Sequence, residues 1–252
     1  MENSEDAVAL EPAEPPLLLC GRFYPFDEEG IPFGGAQLVI KERTNQSECA
    51  DDGGTANNVW DGALLLARYL ERDPSTVKDK VVLELGAGCG LLGIACAALG
   101  ARHVVMTDLP YAIPLMQDNI KRNLSLIRNK ISCKECDWVE PPELNDLLDL
   151  PETIAKENEV VILVADCIWL AHLISPLLRT LDKFSCEHTK VIITYQQRGR
   201  EAHDEFWKGI QAIFDVRSID TEKKNGLHKP AAFFLLECKR KIEGRADLLT
   251  VS

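Results

Sequence analysis

From Lys80 onward the chain alternates apolar runs of strand length with runs of helix length. "KVVLELG" is followed by "GLLGIACAALG", "HVVMTD" by "PYAIPLMQDNIKRNLSLI", "VVILVAD" by "LISPLLRTLDKF", and "KVIITYQ" by "EAHDEFWKGIQAIF". A strand that rejoins its sheet after a helix runs parallel to its predecessor, and such a sheet is covered by helices on both faces. "ISCKECDW" supplies a further strand, ahead of an acidic insertion from Val139 to Glu159 that contains helical material. The runs near "DVRSID" and "AAFFLLECKR" face each other across "TEKKNGLHKP" and predict a terminal hairpin. The expectation is an α/β fold: a seven-stranded, mostly parallel sheet with helices on both faces and an antiparallel last strand.

Residues 1–16, rich in Glu, Pro and Ala, read as a disordered acidic tail, and 242–252 as a C-terminal tail. In residues 17–58, "LLLCGRFYPF" and "GGAQLVIKER" flank a Pro/Gly stretch and predict a β-hairpin, followed by the polar linker "TNQSECADDGGTANN". "VWDGALLLARYLER" then sets Val59, Ala63, Leu66, Ala67 and Leu70 on one helical face. The 252 residues suffice for one sizeable core, and no internal repeat or second domain is visible. The acidic N-terminus does not read as a signal peptide, and no apolar run reaches membrane-spanning length, so a cytoplasmic location without a membrane partner is expected. Nine cysteines scattered through apolar segments read as reduced, buried thiols; Cys133 and Cys136 read as a strand pair, and no metal site is expected. A net charge of −12 disfavours nucleic acid as a partner and suits a basic protein or a cationic ligand.

Gly86, Gly88 and Gly90 follow the first strand of the alternating region in "VVLELGAGCGLLG". Such glycines let a ligand approach the backbone at the positive end of the next helix. The loop also contains G-x-G-x-x-G (Gly88, Gly90, Gly93), so by itself it fits a dinucleotide equally well. Its surroundings decide between the two. Glu84, just ahead of the loop, suits a cationic group rather than a pyrophosphate. Asp108 ends the next strand, where a carboxylate can accept bonds from ribose hydroxyls. Asp137 and Trp138 follow the third strand and offer an adenine one acceptor and one flat wall, while Asp166 follows the fourth. Acids at four strand ends describe a positively charged, nucleoside-bearing ligand, S-adenosylmethionine.

With these features in hand, the sequence resembles the Rossmann-like, seven-β-strand class I methyltransferases. More narrowly, it resembles the lysine methyltransferases that modify elongation factors, cytosolic chaperones and the valosin-containing ATPase. The resemblance rests on "VWDGALLLARYL", "VLELGAGCGLLG", "VVMTDLP", "CDW", "VADCIWL" and "YQQRG", in that order, and on the N-terminal hairpin. It implies a methyltransferase domain over residues 59–241, acting as a monomer on a lysine-bearing protein, with elongation factor one-alpha the first candidate. It also implies cofactor contacts at Trp60, Gly86, Ala87, Gly88, Asp108, Trp138 and Ala165. Asp166 would orient the target amine. Trp169 stands where relatives carry a tyrosine and keeps an aromatic wall without the hydroxyl; Tyr195 would form a second wall, with Arg198 close by. A nucleic-acid amino methyltransferase would carry N-P-P-aromatic where this chain has "DCIW", and an arginine methyltransferase would carry paired glutamates where it has "LAHLIS". A small-molecule methyltransferase and an inactive cofactor-binding module remain as alternatives.

Overall fold

The computed structural model describes residues 29–42, 55–149, 159–229 and 231–241. Both expected tails, "LLLCGRFYPF", most of the linker and the second half of the acidic insertion lie outside them. A small antiparallel hairpin, β1 (Ile31–Phe33) and β2 (Ala36–Leu38), precedes α1 (Asp61–Arg72). The main domain then runs β3 (Val81–Leu85), α2 (Leu91–Ala98), β4 (His103–Asp108), α3 (Ile113–Arg122), β5 (Lys130–Glu135), α4 (Leu144–Leu148) and β6 (Val160–Ala165). It finishes with α5 (Ala171–Phe184), β7 (Lys190–Gln196), α6 (Arg200–Ile213), β8 (Phe214–Ser218), α7 (Thr221–Asn225) and β9 (Phe233–Arg240).

The seven strands lie in the order β5-β4-β3-β6-β7-β9-β8. Pairings among β3 to β7 are parallel, while β9 runs antiparallel between β7 and β8. The expected sheet is therefore present, with the terminal hairpin folded back so that the last strand sits inside the edge. Every residue of β3 and β6 is buried, as two-sided covering requires. Leu65, Leu92, Ile94 and Met116 from α1–α3 pack in one layer. Leu177 and Leu181 of α5 and Phe206 and Ile210 of α6 fill the other. The chain goes from β3 to β4 and β5 on one side, then returns to β6 on the other. The strand ends at β3 and β6 thus flank a topological switch point, where open α/β sheets leave a crevice.

Two local readings change. The hairpin turns at Gly34–Gly35, with φ of +57° and +81°, rather than in the Pro/Gly stretch upstream, so "IPF" is a strand. Two successive left-handed residues match the twist of the flanking strands, which other residues reach only with strain. "TEKKNGLHKP" is not all loop: the Asp220 side chain accepts a bond from the Lys223 N–H and caps the short α7, which Gly226 ends at φ +70°.

The segment after β2 is held by side chains instead of a strand. Asn119 on α3 and Asn123, which follows the helix one turn later, are both buried. Their amide oxygens accept from the N–H of Lys41 and Val39 at 2.8 and 2.9 Å, and their amide nitrogens donate to the carbonyls of the same two residues. Asn119 also donates to the Cys89 carbonyl in the glycine loop at 2.8 Å. Alanine at 119 leaves three backbone groups without their partner, the buried Cys89 carbonyl and the partly buried N–H and carbonyl of Lys41, so Asn119→Ala should cost about 1–3 kcal/mol and speed amide exchange at Lys41. An unchanged urea midpoint would refute this.

Candidate active site

The glycine loop is shaped by its backbone bonds. The N–H groups of Gly86 and Ala87 both donate to the Thr107 carbonyl at 2.9 Å, and Gly90 N–H donates to the Ala87 carbonyl at 2.8 Å. Closing the turn this tightly puts Gly86 at φ +72° and Gly88 at φ +56°. A β-carbon on Gly86 would lie 2.7 Å from the Cys167 sulfur and 3.0 Å from the Trp138 ring, so glycine is needed for space as well as conformation. The Gly88 N–H donates to Asp108 Oδ2 at 2.8 Å, and Leu109 N–H donates to Oδ1 at 2.7 Å. Burial raises the Asp108 pKa above its ordinary value, and those two N–H groups oppose the rise. A carboxylate has about four acceptor sites, so Asp108 keeps capacity for a diol.

A cavity of about 300 Å³ opens at these strand ends. Trp60, Glu84, Gly86, Ala87, Gly88, Asp108, Asp137, Trp138, Ala165, Asp166 and Trp169 all line it, so eleven of the twelve residues singled out from sequence converge on one space. Glu84 is buried, and its Oε2 has no hydrogen-bond partner. Burial pushes its pKa up to about 8; the Asp108 charge adds to the rise and the Gly93 N–H opposes it. Asp137 is exposed and accepts from the Val139 N–H at 2.8 Å. Trp169 is 39% exposed. Cys89, Cys136 and Cys167 also line the cavity, with burial pushing the first two thiols up to about 12 and about 11 and the third well above its usual range. They are packing groups, not nucleophiles.

Asp166 adopts φ +56°, which turns its carboxylate back across the sheet ends. Oδ2 accepts from the Gly62 N–H at 2.7 Å and Oδ1 from the Gln196 N–H at 2.8 Å. One side chain thereby ties the end of β6 to the first turn of α1 and to the end of β7. A β-carbon at Gly62 would sit 2.7 Å from the Asp166 carboxyl carbon. The glycine that weakens the first turn of α1 is what admits the carboxylate; its position in "WDG", an otherwise helical run, was the signal available in sequence.

Tyr195 is a correction. It does not line the cavity. Along β7, Val191, Ile193 and Tyr195 face the layer under α6, whereas Ile192 faces the opposite one. Tyr195 is fully buried and stacks on Phe234 at 5.0 Å; its hydroxyl bonds with His203 Nδ1 at 3.0 Å and accepts from Trp207 Nε1 at 2.9 Å. The second correction concerns the linker. Its end, "TANN", forms a 3-10 turn over Thr55–Asn57, and Thr55, Ala56 and Asn58 wall the cavity, with Ala56 against Gly88. Leu170 and Leu173, at the start of α5, were also missed.

A left-handed glycine loop, strand-end acids, indole walls and an unpaired buried carboxyl oxygen beside the loop fit a nucleoside carrying positive charge. Together with the sheet order, they define an S-adenosylmethionine-dependent methyltransferase. The profile described as "Lysine methyltransferase" matches residues 36–213, and the chain belongs to that family. Protein N-lysine methyltransferase METTL21A of Danio rerio is 32% identical over 212 residues, spanning 81% of this chain and 92% of that protein. Protein-lysine methyltransferase METTL21E of Mus musculus is 31% identical over 195 residues, 77% and 74% of the two chains. EEF1A lysine methyltransferase 3 of Xenopus tropicalis is 31% identical over 185 residues, 73% and 75%. Among the described residues no helix is long and apolar enough to cross a membrane, and no group of three or more His, Cys, Asp or Glu could hold a metal ion.

Proposed function

We propose that this enzyme methylates a lysine side chain of translation elongation factor one-alpha, acting in the cytoplasm as a monomer. The observation that carries the reading is a cavity built for a charged nucleoside whose mouth is an exposed indole, Trp169, in a chain of the lysine methyltransferase family. The Xenopus relative named for EEF1A supports the substrate. Gly86–Gly88, Asp108, Asp137, Trp138, Ala165 and Trp60 would hold the cofactor, and Glu84 would face its positive charge. When bound, S-adenosylmethionine supplies an electrophilic methyl group.

The chain's own task is to present a neutral amine in line. A lysine ammonium has a reference pKa of about 10.4, and removal from water lowers it. Trp169, Leu170 and Leu173 provide an apolar passage, and the Trp169 ring face holds the cation on its way in. Asp166 positions that passage by fixing the first turn of α1 and the end of β7, and its remaining acceptor sites face the amine. Purified elongation factor one-alpha, incubated with this protein and radiolabelled cofactor, should incorporate label at lysine. Label found only in small metabolites, or in no protein of a whole-cell extract, would overturn the proposal.

A further inference from the structure

Taking the cofactor and acceptor assigned above as its basis, we infer that Arg198 is a positioning residue that braces the Trp60 wall of the cofactor cavity and links it to Asp166. The Arg198 guanidinium carbon lies over the Trp60 ring, 4.4 Å from its centroid. Its Nη2 stands 3.6 Å from Asp166 Oδ2, the oxygen that also accepts from the Gly62 N–H. Trp60 and Asp166 line the cavity, whereas Arg198 does not, so it acts through them. The indole is then fixed at two points: its Nε1 donates to the Thr55 carbonyl at 2.8 Å, and its face carries the guanidinium.

The end of β7 and the loop that follows it supply the other two contacts of the Asp166 carboxylate, the Gln196 N–H and the Arg198 side chain. That loop, the first turn of α1 and the cavity wall thus share one carboxylate and one ring. As an ion pair alone, a partly exposed contact at 3.6 Å would count for little. What needs arginine is the combination: the guanidinium sits over an indole face while its Nη2 still reaches toward a carboxylate, which a compact lysine ammonium does not reproduce.

The test is calorimetric titration of S-adenosylmethionine into wild type, Arg198→Met and Arg198→Lys, repeated in Trp60→Leu and Trp60→Phe backgrounds. Arg198→Met should weaken binding by about tenfold with an unchanged melting temperature, and Arg198→Lys should recover only part of that loss. With leucine at 60 the same arginine substitution should change affinity by less than about twofold, because its route is gone; with phenylalanine, which keeps a ring face, the effect should persist. A loss under about threefold in the wild-type background, or an undiminished loss in the leucine background, overturns the inference. A wild-type chain that binds no S-adenosylmethionine overturns the cofactor assignment itself. Wild-type binding with an unaffected Arg198→Met overturns only the role of the arginine.

Discussion

Asp166→Ala should lower methyl transfer by about 10²- to 10³-fold while cofactor affinity falls by no more than about tenfold. The two readouts separate because the carboxylate touches the first turn of α1 and the end of β7 rather than the glycine loop. Alanine leaves the buried Gly62 N–H and the partly buried Gln196 N–H without an acceptor, at about 3–5 kcal/mol for two charge-assisted bonds. It also sits poorly at φ +56°, which adds about 1 kcal/mol. For a chain of this size that corresponds to a melting temperature lower by about 8 °C or more. Asp166→Asn tolerates the left-handed backbone but presents one amide nitrogen to an N–H, so it should fall between wild type and alanine. Transfer by Asp166→Ala within tenfold of wild type, measured at saturating cofactor, would refute the assignment.

What sequence made legible follows from periodicity and polarity. Parallel strands align their carboxyl ends, so Glu84, Asp108, Asp137 and Asp166, far apart in the chain, had to converge once the alternation was recognised. Contacts made by a single side chain across elements had no such signature. Nothing in "MQDNIKRN" states that two asparagines would serve as a strand for Val39 and Lys41. Nothing in "TANN" marks a cavity wall, because a single 3-10 turn is too short to show a period. Tyr195 failed for a different reason. The resemblance of "YQQRG" to the family's element beside the target channel suggested a channel wall, but strand parity sends Tyr195 to the other layer. The partners that receive it there, His203 and Trp207, stand one helical turn apart in "EAHDEFW". That spacing was readable, and pairing it with the parity of β7 would have placed the tyrosine in the core.

Cofactor affinity should rise with pH up to about 8, by as much as tenfold per unit, because binding must strip a proton from Glu84. With a pKa of about 8 the buried carboxyl is protonated at neutral pH, and a cationic group in the cavity favours the ionised form. Titrations at pH 7 in buffers of different ionisation enthalpy should therefore show release approaching one proton per cofactor. Above pH 8 the gain stops and then reverses, since an α-amino group itself loses its charge near pH 7.7–8.0. The same shift predicts an opposite effect on the unliganded fold. The folded pKa lies above the usual 4.5, so the stabilisation is complete below pH 4.5 and is lost as pH rises toward 8. Glu84→Gln cannot ionise. It should stabilise the unliganded chain at pH 8, bind cofactor more weakly there, and release no proton. Proton release from Glu84→Gln equal to that of wild type would show that the titrating group lies elsewhere and would remove Glu84 from the cation-binding role.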